Sequence, residues 1–215
     1  MSTFKFSEKS KLFFTSDSHF GHNNIIRYCN RPFASVKEHD EALIENWNKV
    51  VSPDATVFHL GDFAFAGSDY TTEILSRLNG HIILIKGNHD NFQSSVLDKF
   101  EEVYPQLHIE IGKKSIYLNH YPFATYAGMY RKNATIQLFG HIHSGPASLS
   151  GKDTSRLDNL NPHQLDVGMD NFNYTPVSWQ QVLEAINWQI EHKRIYAKRN
   201  LTKWEIFKLK LKYIL

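Results

Sequence analysis

The chain has 215 residues, of which 41% are hydrophobic and 21% are charged, a balance that excludes the collagenous and disordered classes. The formal net charge is +2, and the single cysteine, Cys29, excludes an internal disulfide framework. The sequence also lacks a signal-peptide core and any run near the ~20 apolar residues of a membrane span. We therefore expect a cytoplasmic enzyme or binding protein with a full hydrophobic core.

Short apolar runs rich in Val, Ile and Phe predict strands along the chain. They cover residues 11–15, 56–60, 82–85, 115–118, 136–139 and 164–167. Residues 109–111 and 115–118, separated by residues 112–114, are typical of a hairpin. The near-continuous apolarity of these runs indicates strands that are buried on both faces.

Helical patterns lie between the strands. Ser35 and Glu38 have capping-box spacing and predict a helix that runs to Val50. A second helix is expected to end before Gly80, and others are predicted over 91–100 and 178–192. Strands that alternate with helices, together with a hairpin, indicate the α/β class with a mixed sheet. The polar segment 144–163 is expected to form a loop.

The charge is concentrated at one end of the chain. Residues 193–215 hold eight basic side chains and one acidic side chain, so this segment carries +7 and the rest −5. We expect one domain over residues 1–192 and a basic amphipathic tail over 193–215. The tail is predicted to dock on the domain, and binding of RNA, an anionic membrane or a partner protein stays open.

Five predicted strands end in residues of metal-ligand or acid–base type. These are Asp17 and His19, then Asp62, then Asn88, His89 and Asp90, then Asn119 and His120, and last His141 and His143. Ligands of α/β sheets collect outside the carboxyl ends of strands, so we expect these side chains to meet in one crevice. In an extended backbone residues i and i+2 point to the same side, so the pair 17/19 and the pair 141/143 can each hold one object.

The residue types in this crevice indicate a metal site. Carboxylates, an amide oxygen and neutral imidazoles suit Mn, Fe, Zn, Ni or Mg ions, and the lack of thiolates argues against a structural zinc or iron–sulfur site. Two Asp, one Asn and four His make seven ligands. Seven are too many for one tetrahedral site, and they fit two metals about 3.5–4 Å apart that share a carboxylate. Such a pair lowers the pKa of a shared water and can generate a hydroxide nucleophile.

The motif series carries a family resemblance. Asp17-Ser18-His19, Gly61-Asp62, Gly87-Asn88-His89-Asp90, Asn119-His120 and Gly140-His141-Ile142-His143 resemble, in order, the motifs of calcineurin-like metallophosphoesterases, above all the short bacterial and phage phosphoesterases. The resemblance covers residues 12–186 and includes the late stretch 166–170. It implies a four-layer fold in which two mixed β-sheets pack as a sandwich flanked by helices.

The resemblance also implies roles for single residues. Asp17, His19 and His143 would hold the first metal, Asp62 would bridge, and Asn88, His120 and His141 would hold the second. His89 would stabilise the phosphate charge and protonate the leaving oxygen, and Asp90 would orient its ring. Of the candidate metals, manganese is favoured.

Other side chains are weaker candidates. His22 is a candidate for contact with substrate phosphate, with loop packing as the alternative. Arg27, Arg31, Arg131 and Lys132 can rim the crevice or be surface charges. Asp170 is open between a turn and a site role, and Cys29 receives no role.

The sequence leaves three hypotheses open. The first is a two-metal phosphoesterase in which a metal-bridging hydroxide attacks a monoester or diester of a small molecule or nucleotide. The second is a nuclease or an end-processing phosphatase that holds nucleic acid with the basic tail. The third, disfavoured because all ligand positions are present, is a non-catalytic binding scaffold. The oligomeric state is left open.

Overall fold

The computed structural model describes residues 4–131, 133–145, 157 and 160–192. Within them the strands are β1 (Phe4–Phe6), β2 (Leu12–Thr15), β3 (Thr56–His59), β4 (His81–Ile85), β5 (Glu102–Tyr104), β6 (Leu107–Ile111), β7 (Lys114–Leu118), β8 (Ile136–Phe139), β9 (Gln164–Asp166) and β10 (Val177–Ser178). The helices are α1 (Asn23–Tyr28), α2 (Val36–Val50), α3 (Ser68–Arg77), α4 (Ser94–Leu97) and α5 (Trp179–His192), with a short 3-10 helix at Met169–Asn171.

These strands form two five-stranded mixed sheets. Sheet I has the order β1-β6-β7-β8-β9 and is parallel except for the β6–β7 hairpin. Sheet II has the order β10-β2-β3-β4-β5 and is parallel except at β10. The α/β class and the two mixed sheets with helices are confirmed.

The main core lies between the two sheets. Phe14, Phe58 and Ile85 of sheet II share one buried cluster with Ile116 and Leu138 of sheet I. Trp179, Val182 and Ile186 of α5 join this cluster near β2, β9 and β10. A second cluster packs α2, α3 and the segment around α4 on the outer face of sheet II, with Trp47 of α2 fully buried. Sheet II is therefore apolar on both faces, as the continuous runs predicted.

One helix begins at its predicted cap, and another is shorter than predicted. The backbone N–H of Glu38 donates to Ser35 Oγ at 3.1 Å, so the predicted cap of α2 is confirmed. The helix predicted over 91–100 is wrong in length, because only Ser94–Leu97 is α-helical. The N–H groups of Lys99 and Phe100 bond three residues back, to Val96 and Leu97, so the helix ends in tight turns.

The six predicted strands are confirmed, with bounds that differ by a residue at some ends. Within the described ranges, no helix is both long enough and apolar enough to cross a bilayer. The tail over 193–215 and most of the loop predicted over 144–163 lie outside the described residues, and so does Lys132.

Candidate metal centre and active site

The loops that follow β2 and β3 are held side by side beyond the ends of the strands. The N–H of Asp17 donates to the carbonyl of Gly61 and that of His19 to the carbonyl of Asp62, both at 3.0 Å. The loop after β8 joins them, because the N–H of His141 donates to the Asp17 carboxylate at 2.9 Å. The predicted convergence of strand ends is thus present in the structure.

One cluster of potential ligands consists of Asp17, His19 and His143, whose ligand atoms lie within 4.8 Å of one another. Nε2 of His143 is 3.7 Å from Asp17 Oδ1 and 3.3 Å from His19 Nε2. Asp17 and His19 are almost fully buried. Three donor atoms therefore face one small volume.

The second cluster consists of Asp62, His120 and His141, and it adjoins the first. Asp62 Oδ2 lies 3.4 Å from His120 Nε2 and 3.6 Å from His19 Nε2, so this carboxylate reaches both clusters. Asn88 Oδ1 is 3.2 Å from His120 Nε2 and adds an amide oxygen. The seven side chains predicted as ligands are thus gathered around Asp62.

The backbone at these positions is unusual. Eight described residues other than glycine have a positive φ, and five of them are Asp17, His19, Asp62, His141 and His143. Left-handed conformations cost energy in non-glycine residues, so they persist where the surroundings enforce them, often at functional sites. Here they turn the side chains toward one another just beyond the strands.

Neighbouring glycines make room for this arrangement. Gly61 has a φ of +92°, and a Cβ there would lie 2.6 Å from the Gly87 nitrogen and from His120 Nδ1. A Cβ at Gly140 would collide with Ser16 Oγ and the Asp17 carboxylate. The glycines in the predicted motifs are therefore required by close packing of backbone against the ligand side chains.

Partners on the far side of two rings fix their orientation. His120 Nδ1 lies 2.7 Å from the carbonyl of Leu60, and His143 Nδ1 lies 3.2 Å from Asp170 Oδ2. With the proton held on Nδ1, the Nε2 lone pair of each ring points into its cluster. This is the usual arrangement of a metal-ligating histidine.

The donor set fits divalent metal ions. Two carboxylates, an amide oxygen and four imidazoles converge in these two adjoining clusters. The chemistry of this set suits borderline to hard cations. The residues present therefore fit the two-ion site that the sequence predicts.

Comparison with known proteins agrees with the geometry. The sequence profile of the calcineurin-like phosphoesterase superfamily domain matches residues 11–162, most of the chain. The chain belongs to this superfamily. It is accordingly a metal-dependent phosphoric ester hydrolase.

Similar proteins are known from three different sources. The phosphoesterase is 34% identical over 178 residues to an uncharacterized protein of Methanocaldococcus jannaschii. This match covers 82% of this chain and 91% of that protein. It is 28% identical to the gene 66 protein of Mycobacterium phage L5, over 87% of this chain and all of that protein. A crystal structure of a protein of unknown function from Aquifex aeolicus has a TM-score of 0.63 and 28% identity, with coverage of 82% and 99%.

His89 lies exposed beside the clusters. Its ring is 5.5 Å from that of His19, and its backbone N–H donates to Asp62 Oδ1 at 2.9 Å. The predicted partnership with Asp90 is different in the structure. The buried Asp90 carboxylate accepts from the N–H groups of Asp62, Phe63 and Gly87, each at 2.8 Å, instead of from the His89 ring. Asp90 thus ties the loop of His89 to that of Asp62.

His22 lies on the rim, next to the first cluster. Its ring is 5.3 Å from that of His19 and 4.5 Å from that of Phe65. Burial lowers its pKa, and the electrostatic interactions with His89 and Arg31 act in the same direction. A neutral ring at this place can donate one hydrogen bond to a phosphate oxygen.

Arg31 is not the exposed phosphate ligand that the sequence permitted. Its side chain is buried and forms two bonds to Asp170, Nε to Oδ1 at 2.8 Å and Nη2 to Oδ2 at 3.0 Å. It also donates to the carbonyls of Asp17 and Ser18. Asp170 in turn contacts His143, so Arg31 and Asp170 fasten two ligand loops. Reading the sequence missed this pair because its members lie far apart in the chain.

Two buried groups next to the first cluster were also missed. Asp166 accepts from the Gly168 N–H at 2.8 Å and from Ser144, and burial followed by the charge of Asp17 raises its pKa to about 6. Cys29 is buried, and its sulfur lies with ligand atoms of His143 and Asp170 within 4.8 Å. Asp166 stands in the late stretch 166–170 of the resemblance but received no role there, and Cys29 stands in no motif.

Two of the four cluster histidines, His120 and His143, have raised pKa values, whereas burial lowers the pKa of His19 and of His141. Burial acts against protonation of His120, yet its bond to Asp62 and the charge of Asp17 raise its pKa to about 9. The pKa of His143 is raised well above its ordinary value by Asp17 and Asp170, again against the effect of burial. A proton and a metal ion compete for the same lone pairs, so metal binding here should release protons.

Proposed function

We propose that this phosphoesterase uses two metal ions to hydrolyse a phosphate monoester or diester of a small molecule or nucleotide. The observation that carries the proposal is the position of the Asp62 carboxylate, whose Oδ2 is within 3.6 Å of histidines from both ligand clusters. A carboxylate between two ligand sets is the arrangement expected of a bridging ligand in a two-metal site.

The chain's own residues have separate tasks in this mechanism. Asp17, His19 and His143 would hold one ion, Asn88, His120 and His141 would hold the other, and Asp62 would contribute to both. When bound, two divalent ions lower the pKa of a water molecule and offset negative charge on phosphate oxygens.

His89 performs the remaining proton chemistry. It is exposed and stands next to the clusters, so it can donate a hydrogen bond to a phosphate oxygen and a proton to the leaving alcohol. Its backbone bond to Asp62 fixes its distance from that carboxylate. Asp90 supports His89 indirectly, since it holds the Asp62, Phe63 and Gly87 backbone together.

The ions and the setting are part of the proposal. The oxygen and imidazole donors accept Mn, Fe, Zn, Ni or Mg, and we favour manganese. We propose that the protein acts in the cytoplasm on a small phosphate ester or nucleotide.

A nuclease or nucleic-acid end-processing phosphatase is the second candidate, and the basic segment 193–215 favours it. In the full chain, replacing Lys203, Lys208, Lys210 and Lys212 by Gln removes four of its positive charges. The nuclease hypothesis expects turnover of an oligonucleotide to fall and to lose salt dependence, while turnover of a small aryl ester is kept. Equal effects on both substrates would reject it.

The direct test joins metal analysis to activity. Purified protein should hold close to two metal ions per chain and, with Mn²⁺, should hydrolyse an aryl phosphate monoester or the matching diester. The preferred ester distinguishes a phosphatase from a phosphodiesterase. Protein that stays metal-free and inactive after Mn²⁺, Fe²⁺, Ni²⁺ or Zn²⁺ is supplied would favour the binding scaffold instead.

Two single variants separate the roles of the residues. Asp62→Asn should lose at least one ion and most activity, because the shared carboxylate is weakened as a ligand. His89→Gln should keep both ions and lose kcat, because only the proton donor is removed. A metal-free His89→Gln protein would show that its assigned role is wrong.

A further inference from the structure

Exposed aromatic side chains stand around the ligand clusters. Among the described residues the large hydrophobic side chains most open to solvent are Tyr28, Val50, Phe65, Tyr121, Tyr130 and Ile190. Three of these six contact a ring of the proposed site: Tyr28 contacts His22, Phe65 contacts His22 and His89, and Tyr121 contacts His120 and His141. Exposed apolar groups gathered at one place, rather than scattered, mark a surface that binds something.

Phe65 is the central member of this group. Its side chain is 53% exposed, and its ring centre is 5.3 Å from that of His89 and 4.5 Å from that of His22. The Tyr28 ring also neighbours His22, with ring centres 6.3 Å apart. The aromatic surface formed by Phe65, His22 and Tyr28 therefore begins at the group proposed to protonate the leaving oxygen.

The backbone holds Phe65 away from the core. The residues before it, Phe63 and Ala64, are fully buried, and Ala64 forms a β-bridge with Phe20. The N–H of Phe65 donates to the Phe20 carbonyl at 2.8 Å, which fixes the chain at this point. The ring thus occupies a defined place on the surface, and its exposure is not the result of a loosely held loop.

We propose that the surface formed by Phe65, His22 and Tyr28 binds the base of a nucleotide-like phosphate ester by stacking. This inference rests on the proposed function, because it places the phosphoryl group at the two clusters beside His89. Every nucleobase offers a planar face, and stacking on an aromatic side chain is tolerant of sequence. Arg27, whose guanidinium lies 5.4 Å from the Tyr28 ring centre, adds positive charge beside Tyr28 for an anionic ester.

Other occupants would not use these features together. An aliphatic alcohol has no planar face to place on Phe65, and a sugar phosphate without a base leaves Phe65 uncovered. The aromatic surface therefore predicts selectivity for esters that carry a base over otherwise similar esters without one.

Matched substrate pairs test this selectivity. Adenosine 5′-monophosphate and ribose 5-phosphate differ only in the base, and their methyl esters form the corresponding diester pair. For each pair, kcat/KM is measured with Mn²⁺ by phosphate or methanol release, and the base-bearing to base-free ratio is the readout. Wild-type protein should show a ratio of at least about ten, since one stacked base is worth roughly a tenfold or larger factor.

Three variants connect the ratio to Phe65. Phe65→Leu keeps an apolar side chain without a planar face and should lower the ratio about tenfold, mainly through KM. Phe65→Tyr retains the ring and should restore the ratio. Tyr130→Leu is the matched control, because Tyr130 is an exposed aromatic residue that makes no ring contact with a site histidine among the described residues, and its ratio should equal that of wild type.

The outcomes distinguish this inference from the proposed function. A wild-type ratio near one, or a Phe65→Leu ratio equal to that of wild type, would overturn base stacking while hydrolysis itself upholds the phosphoesterase. Loss of the ratio in Tyr130→Leu as well would show that it reports a general effect of surface aromatics, and would overturn the inference. Wild-type protein that hydrolyses the aryl esters but none of these four would overturn base binding and leave the phosphoesterase standing, whereas protein inactive on the aryl esters as well would reject both proposals.

Discussion

At the scale of single residues, the ion pair between Arg31 and Asp170 supports the first ligand cluster. It is bidentate and buried, and it also reaches the Asp17 and Ser18 carbonyls and the His143 ring. A buried pair of this kind contributes little net stability against an apolar replacement, but removing one partner leaves a costly unpaired charge. Its position behind the first ligand cluster makes orientation of the ligands its main effect.

Asp170→Asn should therefore weaken metal binding more than a surface change would. The amide is a poorer partner for both Arg31 and the Nδ1–H of His143, so we expect Mn²⁺ affinity to fall about 10- to 100-fold. Calorimetric titration of the folded variant measures this. Glu41→Gln, which breaks the exposed pair with Arg77, is the control and should leave the affinity unchanged. A folded Asp170→Asn protein with wild-type affinity would contradict the orienting role.

A second single residue, His59, makes the stability of the folded protein depend on pH. It is fully buried between Trp47 and Phe63, and its Nε2 is 2.8 Å from Ser18 Oγ. Burial lowers its pKa to about 3. The unfolded chain therefore binds a proton below pH 6.5 that the folded chain does not, so this contribution to stability is present above pH 6.5 and lost as the pH falls toward 3.

Replacing His59 should thus make the protein less sensitive to acid. Between pH 6.5 and pH 5 the free energy of unfolding of wild type should fall by about 2 kcal/mol more than that of His59→Asn. Urea denaturation at both pH values measures the difference. His81→Asn, which removes an exposed histidine, should follow wild type, and parallel slopes for wild type and His59→Asn would disprove the prediction.

At the scale of elements, the start of α2 depends on its cap. Ser35 Oγ accepts from the Glu38 N–H, and Glu38 Oε2 accepts from the Ala34 N–H at 2.8 Å. Ser35→Ala removes an acceptor from a helix whose other face carries Leu43 and Trp47 into the core, and should cost about 1 kcal/mol. Urea denaturation checks this value. Ser95→Ala, at an exposed position in α4, should change stability by much less, and equal losses would argue against a capping effect.

The elements also show what could be predicted from the sequence. Long apolar runs identify the central strands, because a strand that is buried on both faces needs them. The edge strands β1, β5 and β10 have only two or three residues and mixed composition, so no local pattern marks them. The partition into two sheets came from the family resemblance, since strand pairing depends on contacts between distant segments.

At the scale of the whole molecule, the gathering of motif residues at the strand ends could be predicted better than the residues that support them. Asp62, His120 and His143 stand in short motifs that can be recognised in one dimension. Arg31 and Phe65 have no such motif, because the burial of one and the exposure of the other depend on how distant loops pack. The sequence predicts candidates for the chemistry, and the fold adds the residues that contact and position these candidates.

The two sheets share the proposed metal centre. Asp17, Asp62 and Asn88 follow β2, β3 and β4 of sheet II, whereas His120, His141 and His143 follow β7 and β8 of sheet I. The carboxyl ends of these strands meet at one end of the sandwich. Ions bound there would link the sheets at a place where loops, rather than apolar side chains, make the contact.

Removing the ions should consequently destabilise the whole sandwich. A metal that binds only the folded state at 100 times its Kd contributes about 2.7 kcal/mol, which is roughly 5–10 °C in Tm for a domain of this size. Thermal denaturation with Mn²⁺ and with a chelator measures the shift. Asp98→Asn, at an exposed carboxylate, should keep the shift and Asp62→Asn should lose most of it. Should calorimetry find tightly bound ions while the chelator leaves Tm unchanged, the ions would bind the folded and the unfolded chain alike, and the prediction would be wrong.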